Sequence, residues 1–250
     1  MIPKIIHWCW LSNDPIPVSL QKCMDTWKVH LPDYEFMHWN FERFPRGTSK
    51  WVDEAFANKK YAFAADYIRL YAIYNYGGIY LDMDVEVCKS FDSFLNLKTM
   101  LCWQSNIGGL EVAAFGAEKG SQWVKDCLNT YDALSFVKDD GSFDLLTLPT
   151  RIEQKLRELN YILFDCENLQ SAMHAESQGA IPVFPSDFFS PKSYLTGKIR
   201  KTKRTVSIHH FAGSWSTPQK LPWYLRIKEY IWKSTGLADF QIMRRLGLRR

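Results

Sequence analysis

Apolar and polar positions along the chain fall into short runs with strand character and longer stretches with helical spacing. Lys4–Leu11 is a mostly apolar run closed by the polar, Pro-containing turn Ser12–Pro17, and it reads as a buried first strand. Ser19–His30 sets Leu20, Cys23, Met24 and Trp27 on one face with Pro32 beyond its end, the pattern of a helix. Tyr34–Trp39 alternates as a second strand, and Ser49–Ala57 is a short helix. Tyr61–Tyr74 is Ala-rich, with Ala65, Ile68 and Ala72 at helical spacing, and Gly77-Gly78 supplies its stop. Ile79–Val85 follows at once as a strand, then Cys88–Leu95 as a loop with one turn of helix. Met100–Gln104, Glu111–Phe115, Ile181–Phe184 and Thr205–His209 read as strands, and Gln122–Tyr131 and Thr150–Leu159 as helices. A Gly/Ser loop and a helix from Pro222 come after them. Strands alternating with helices predict an α/β layer architecture.

Composition supports one large core. Aromatic residues make up 15% of the 250, with ten Trp, which excludes disorder. No Pro/Gly/Ser-rich linker or internal repeat divides the chain. The six cysteines are scattered without a CxxC pair, so reduced core thiols are expected rather than a zinc site or a disulfide framework. The apolar run near Met1 is too short for a signal segment, and no run reaches 18 apolar residues, so the expectation is a cytoplasmic protein. The net charge of +4 hides a split. From Lys198 onward thirteen basic residues face two acids, a net +11, whereas the first 197 residues carry −7. That asymmetry argues against a nucleic-acid coat and for a localised contact with something anionic.

The candidate chemistry lies in Tyr61–Glu86. Asp82 and Asp84 are two apart at the end of a predicted strand, so period-two geometry puts both carboxylates on one side. Two hard oxygen anions at that spacing suit Mn²⁺ or Mg²⁺, which would hold a diphosphate; a solvated acidic turn is the plainer alternative for Asp-x-Asp alone. Asp66 and Arg69 share a face of the preceding helix at i and i+3. They read either as a surface ion pair or as a polar clamp for sugar hydroxyls and a phosphate oxygen.

The D-x-x-R helix (Asp66, Arg69), the glycine pair and the strand Ile79-Tyr80-Leu81-Asp82-Met83-Asp84 together resemble glycosyltransferase family 32, the DXD sugar-binding group. That group is similar in pattern to the large clostridial glucosylating toxins and to eukaryotic mannosyl- and α-galactosyltransferases. Other segments agree in order: Ile2–Trp10 resembles the opening strand, Tyr34–Asn40 the second, Phe184–Pro191 a late segment, and Ile208–Trp215 the closing H-x-x-x-x-S-W motif. The resemblance runs from about Ile2 to Trp215.

It implies an α/β GT-A nucleotide-sugar transferase fold, a Rossmann-like mixed central sheet flanked by helices, as a catalytic domain over 1–216; the residues beyond the match read as a basic amphipathic helical tail over 217–250. It implies a nucleotide-diphospho-sugar donor, a UDP-sugar first, and a saccharide acceptor, lipid-linked or free. It further implies Mn²⁺ (or Mg²⁺) and retention of anomeric configuration. Asp66, Arg69, Asp82 and Asp84 would carry the chemistry. Asp82, Asp84 and His209 would hold the cation, with His210 as the competitor for the histidine position. Trp10, Asn40, Asp66, Arg69, Tyr80, Asp82, Ser214 and Trp215 would bind donor, Trp10 by stacking on the base at the end of the first strand. Asn106 and Glu111 flank Gly108-Gly109, where similar enzymes place acceptor contacts. The expected setting is capsular or exopolysaccharide, O-antigen or other glycan assembly; the alternatives are a toxin-like protein glycosyltransferase and an inactive carbohydrate- or membrane-binding protein. No nucleic-acid partner is expected.

The basic stretch has two readings. Lys198–Arg204 is a charge run of the kind usually solvated, and Leu221–Lys233 sets Trp223, Ile227, Tyr230 and Ile231 along one arc. Such a tail fits the anionic inner face of the cell membrane, which would make the protein peripheral there. A helix packed on the domain with a charged outer face fits equally.

Overall fold

The computed structural model describes residues 1–105 and 108–212. Nine strands and six α-helices follow in the order β1 (Ile5–Cys9), α1 (Val18–His30), β2 (Glu35–Trp39), α2 (Lys50–Ala57), α3 (Tyr61–Tyr76), β3 (Gly78–Leu81), β4 (Val85–Val87), β5 (Thr99–Trp103), β6 (Leu110–Ala117), α4 (Gln122–Asn129), α5 (Leu148–Glu158), β7 (Leu163–Asp165), α6 (Leu169–Ser177), β8 (Ile181–Phe184) and β9 (Ser207–His209) among those residues. Seven strands form one sheet in the order β2-β1-β3-β6-β5-β8-β7. β1 is parallel to β2 and β3, and β8 is parallel to β5 and β7. β6 alone runs antiparallel, to β3 and β5. This is the mixed, helix-flanked sheet expected. β4 and β9 form a separate antiparallel pair.

Strand alternation divides the core between the two sheet faces. Tyr80, Leu101, Val112 and Phe115 pack with α2, α3, α4 and α5 residues such as Trp51, Ile68, Trp123 and Ile152. Their neighbours Ile79, Leu81, Met100 and Ala114 pack with Trp27, Phe94, Ala172 and Phe189. Successive residues point to opposite sides of a pleated strand, so a sheet buried on both faces needs nearly continuous apolar strands. All eight residues of β6 are buried, Glu111 among them.

The turn from α3 into β3 needs its two glycines. Gly77 and Gly78 stand at φ +67° and +105°. A Cβ on Gly77 would lie 2.6 Å from the Lys119 backbone nitrogen, and one on Gly78 2.6 Å from the Ile5 carbonyl. Only a residue without Cβ satisfies both conditions. His7, fully buried in β1, locks this turn: its Nε2 donates to the Gly77 carbonyl at 2.6 Å, and its Nδ1 accepts from Trp39 Nε1 at 3.0 Å. That pair of bonds requires the neutral ring, and burial pushes its pKa down to about 4. A folded pKa below the unfolded value near 6.5 stabilises fully above pH 6.5 and is lost as pH falls towards 4, a span worth about 3 kcal/mol. The stability gap between wild type and His7→Gln, measured by urea unfolding, is therefore expected to narrow by about that amount between pH 7 and pH 4. A gap that stays constant with pH would refute the neutral, buried ring.

The structure corrects the strand predicted over Ile79–Val85. The ladder ends at Leu81, and a turn closed by Val85 N–H donating to the Asp82 carbonyl at 2.9 Å separates β3 from β4. Two elements were not predicted. β7 has only three residues. α6 has weak periodicity, although Asn168 and Ser171 form a reciprocal capping box at its start. All six cysteines are free thiols. Among the described residues no helix is long and apolar enough to cross a membrane. The helix expected from Pro222 and the tail 217–250 lie outside the described residues.

Candidate active site

The β3–β4 turn and the end of β9 bring three side chains together. Asp82 is fixed to the sheet by its N–H, which donates to the Ala113 carbonyl of β6 at 2.7 Å. β4 then pairs with β9, setting Val85 opposite His209. The pairing extends through His210 N–H to the Asp84 carbonyl at 3.0 Å, and Ala212 N–H donates to Asp84 Oδ2 at 2.7 Å. One ligand atom each from Asp82, Asp84 and His209 thus lies within 4.8 Å of the others. The two carboxylates converge through a turn, not through the pleat of one strand. Phe211, at φ +53°, packs against the His209 ring with centres 3.9 Å apart and planes tilted by 39°. A bulky residue in the left-handed region costs about 1–2 kcal/mol, so the surrounding contacts hold it there.

Behind His209 stands Glu111. It is 4% exposed, its Oε2 lies 3.1 Å from His209 Nδ1, and it also accepts from Ser190 Oγ at 2.8 Å and Ala113 N–H at 2.9 Å. An ionised carboxylate only accepts, so Nδ1 carries the ring proton and Nε2 faces the cluster, 3.4 Å from Asp84. Burial works against a charged ring, but the carboxylates of Glu111 and Asp84 outweigh it and hold the His209 pKa up, at about 10. Burial also opposes charge on Glu111 and Asp84, yet His209 and their N–H donors keep both below the usual carboxylate range. For Asp82 burial prevails and the pKa rises, Arg69 opposing it.

Four carboxylates, Asp66, Asp82, Asp84 and Glu111, therefore surround one guanidinium and one imidazole. Carboxylates outnumber cations in this cluster, and a divalent cation bound at His209 Nε2 in place of its second proton would offset the charge of Asp82 and Asp84. Two carboxylate oxygens and one imidazole nitrogen oriented by a carboxylate suit Mn²⁺ or Mg²⁺, so the residues present fit such an ion.

Arg69 ties the helix to this cluster. At 6% exposure it is no surface ion pair. Nη1 donates to the Val112 carbonyl at 3.0 Å, and Nη2 reaches Asp66 at 3.3 Å and Asp82 at 3.2 Å. The guanidinium lies over the Tyr80 ring, 4.5 Å from its centre. Its Nε is buried without a hydrogen-bond partner. Burial pushes Asp66 up to about 7, against the opposing pull of Arg69 and of the Leu148 backbone at the start of α5.

The remaining predicted site residues are placed as follows. Tyr80 is buried in β3 beneath Arg69. Trp10, partly buried just after β1, donates through Nε1 to the Asp14 carbonyl. Asn40 closes the turn after β2 by accepting from the Glu42 and Arg43 N–H groups. His210 is turned away from the cluster and pairs with Glu86 at 2.9 Å, whereas His209 lies with Asp82 and Asp84. Glu111 does not flank an open acceptor loop: it sits inside β6 with both oxygens engaged. Asn106, Ser214 and Trp215 lie outside the described residues. Sequence reasoning missed Ser190 altogether and did not foresee the burial of Glu111. A single acid in the otherwise apolar run Leu110–Ala117 was the available signal, since a buried charge needs a partner.

Residues 17–101, which hold Asp66, Arg69, Asp82 and Asp84, match the family described as the glycosyltransferase sugar-binding region containing the DXD motif. Inositol phosphoceramide mannosyltransferase 3 of Schizosaccharomyces pombe is 32% identical over 143 residues, 54% of this chain and 38% of that protein. Mannosyl phosphorylinositol ceramide synthase SUR1 of Saccharomyces cerevisiae is 34% identical over 116 residues, 43% of this chain and 29% of that protein. The chain thus spans well under half the length of these curated relatives. The solved PaToxG glycosyltransferase superposes with a TM-score of 0.49 at 21% identity, covering 63% of this chain and 69% of that one.

Proposed function

We propose that this chain, which carries the DXD sugar-binding region of glycosyltransferases, transfers a sugar with retention from a nucleotide-diphospho-sugar, a UDP-sugar first, to a hydroxyl of a glycan or of a lipid-borne polar head. The observation that carries this reading is the convergence of Asp82, Asp84 and His209, with Glu111 fixing the imidazole from behind. Asp82, Asp84 and His209 would hold Mn²⁺, or Mg²⁺ in its place. Such an ion, when bound, offsets the charge that grows on a departing diphosphate. In the transfer the anomeric carbon breaks its bond to the diphosphate oxygen and forms one to the acceptor oxygen, whose proton passes to the departing phosphate. Asp66 and Arg69 supply the polar wall beside the sugar, and Arg69 keeps Asp82 pointed at the cluster. The mannosyltransferase relatives named above support a glycan or glycolipid acceptor over a protein one.

A screen of nucleotide-sugars with the full chain tests the proposal. One donor is expected to release its nucleoside diphosphate in the presence of Mn²⁺, and a chelator is expected to abolish that release. Absence of both hydrolysis and thermal stabilisation with every donor would refute it.

A further inference from the structure

The basic run Lys198–Arg204 belongs to a compact hairpin next to the cluster. Lys192 and Ile199 form an antiparallel bridge. Ser193 N–H donates to the Lys198 carbonyl at 2.9 Å, and Arg200 N–H to the Pro191 carbonyl at 3.1 Å. From Pro191 to Arg204 the chain has six basic residues and no acid. Lys198, Lys201, Lys203 and Arg204 are exposed, and Lys89 joins them by donating to the Lys203 carbonyl. Among the described residues, Arg204 alone of these four is held by a carboxylate, that of Asp187. Two apolar side chains stand among the lysines, Tyr194 at 38% exposure and Ile199 at 42%.

We propose that the hairpin 191–204 is an interfacial contact for an anionic lipid surface. Exposed aromatic and aliphatic groups interleaved with lysines suit the boundary between charged headgroups and acyl chains. A solvated charge run needs no apolar side chains at its tip. The net −7 of the first 197 residues disfavours nucleic acid, which asks for a broad basic face.

The hairpin is mechanically joined to the cluster. Tyr194 packs edge-on against Phe211 at 5.3 Å, Phe211 packs at a tilt against the His209 ring, and Lys192 Nζ donates to the His210 carbonyl at 2.6 Å. A surface that seats Tyr194 and Ile199 therefore lies beside the mouth of the cluster, where a lipid-borne acceptor presents its hydroxyl. That purpose rests on the proposed transfer, whereas the binding itself does not.

Flotation of the full chain with phosphatidylcholine vesicles, with and without phosphatidylserine, separates the two. Wild type is expected to bind the phosphatidylserine vesicles preferentially. The combined Lys198→Gln, Lys201→Gln and Lys203→Gln variant is expected to partition about 100-fold less, at about 1 kcal/mol per lysine. Ile199→Gln is expected to weaken binding as well. Equal binding of the triple variant and wild type, or equal binding of wild type to both vesicles, would overturn the proposal. Donor hydrolysis without vesicles should be unchanged in the triple variant, which excludes misfolding. Absence of hydrolysis in every protein alongside intact vesicle preference would refute the transfer and leave the surface standing.

Discussion

Asp84→Asn is expected to lower metal-dependent donor hydrolysis and transfer by on the order of 10³-fold or more, because the proposed cation's contribution is worth several kcal/mol and Asp84 is its most enclosed carboxylate ligand. The fold should survive the change. The Asn carbonyl still accepts from Ala212 N–H, and the bond from His210 N–H goes to the backbone carbonyl of residue 84, which the substitution leaves alone. Glu111→Gln makes the graded comparison. An amide cannot accept at both ends, so one of the positions serving Ala113 N–H or the His209 and Ser190 donors becomes a donor itself. The imidazole then loses the partner that fixes its tautomer, and Mn²⁺ affinity should fall 10–100-fold with the protein still folded, as typical for such supporting groups. Titration of Mn²⁺ followed by electron paramagnetic resonance reads this without turnover. Full turnover in Asp84→Asn would remove the assignment of the site; unchanged Mn²⁺ affinity in Glu111→Gln would remove the role given to Glu111.

Local features of this site were legible and distant ones were not. The α3 helix, its glycine stop and the charged residues on it follow from short-range periodicity, so Asp66 and Arg69 were found together. The Asp82–Asp84 pair was found for the right residue types and the wrong geometry: a two-residue spacing fits a pleat and a turn alike, and the closing Val85–Asp82 bond is a tertiary outcome. His209 and His210 could not be separated by pattern. Their choice depends on β9 pairing with β4 across more than a hundred residues, which turns one ring to Asp84 and the other to Glu86. The strand start at Glu111 was read within one residue, but its burial was not: the glycines before it suggest an open edge, whereas the antiparallel insertion of β6 between β3 and β5 encloses the carboxylate. Its partners Ser190 and His209 come from segments 79 and 98 residues away.

Arg69→Ala should be the most damaging single change to stability. It strips the shared partner from two enclosed carboxylates, Asp66 and Asp82, and leaves the Val112 carbonyl without its Nη1 donor. Removing one member of a buried charge pair costs about 3–5 kcal/mol, chiefly through the uncompensated charge left behind. Arg69→Lys should recover only part of this, since a single ammonium cannot span Asp66, Asp82 and Val112 as the planar guanidinium does. The source of the loss can be isolated. With Arg69 present, burial already pushes Asp66 up to about 7, so without the guanidinium this carboxyl takes a proton near neutrality. Arg69→Ala should therefore lose least stability at mildly acidic pH. Combined with Asp66→Asn it should be less destabilised than the sum of the two single variants, because the second change removes a charge that the first has orphaned. Mn²⁺ should restore part of the remainder by neutralising Asp82 from the other side, in proportion to its binding to the folded state. Urea unfolding of the four proteins of this cycle, at two pH values and with and without Mn²⁺, decides the matter. Strictly additive losses, indifferent to pH and to the cation, would show that Arg69 acts through packing on Tyr80 rather than as the counter-charge on which both carboxylates depend.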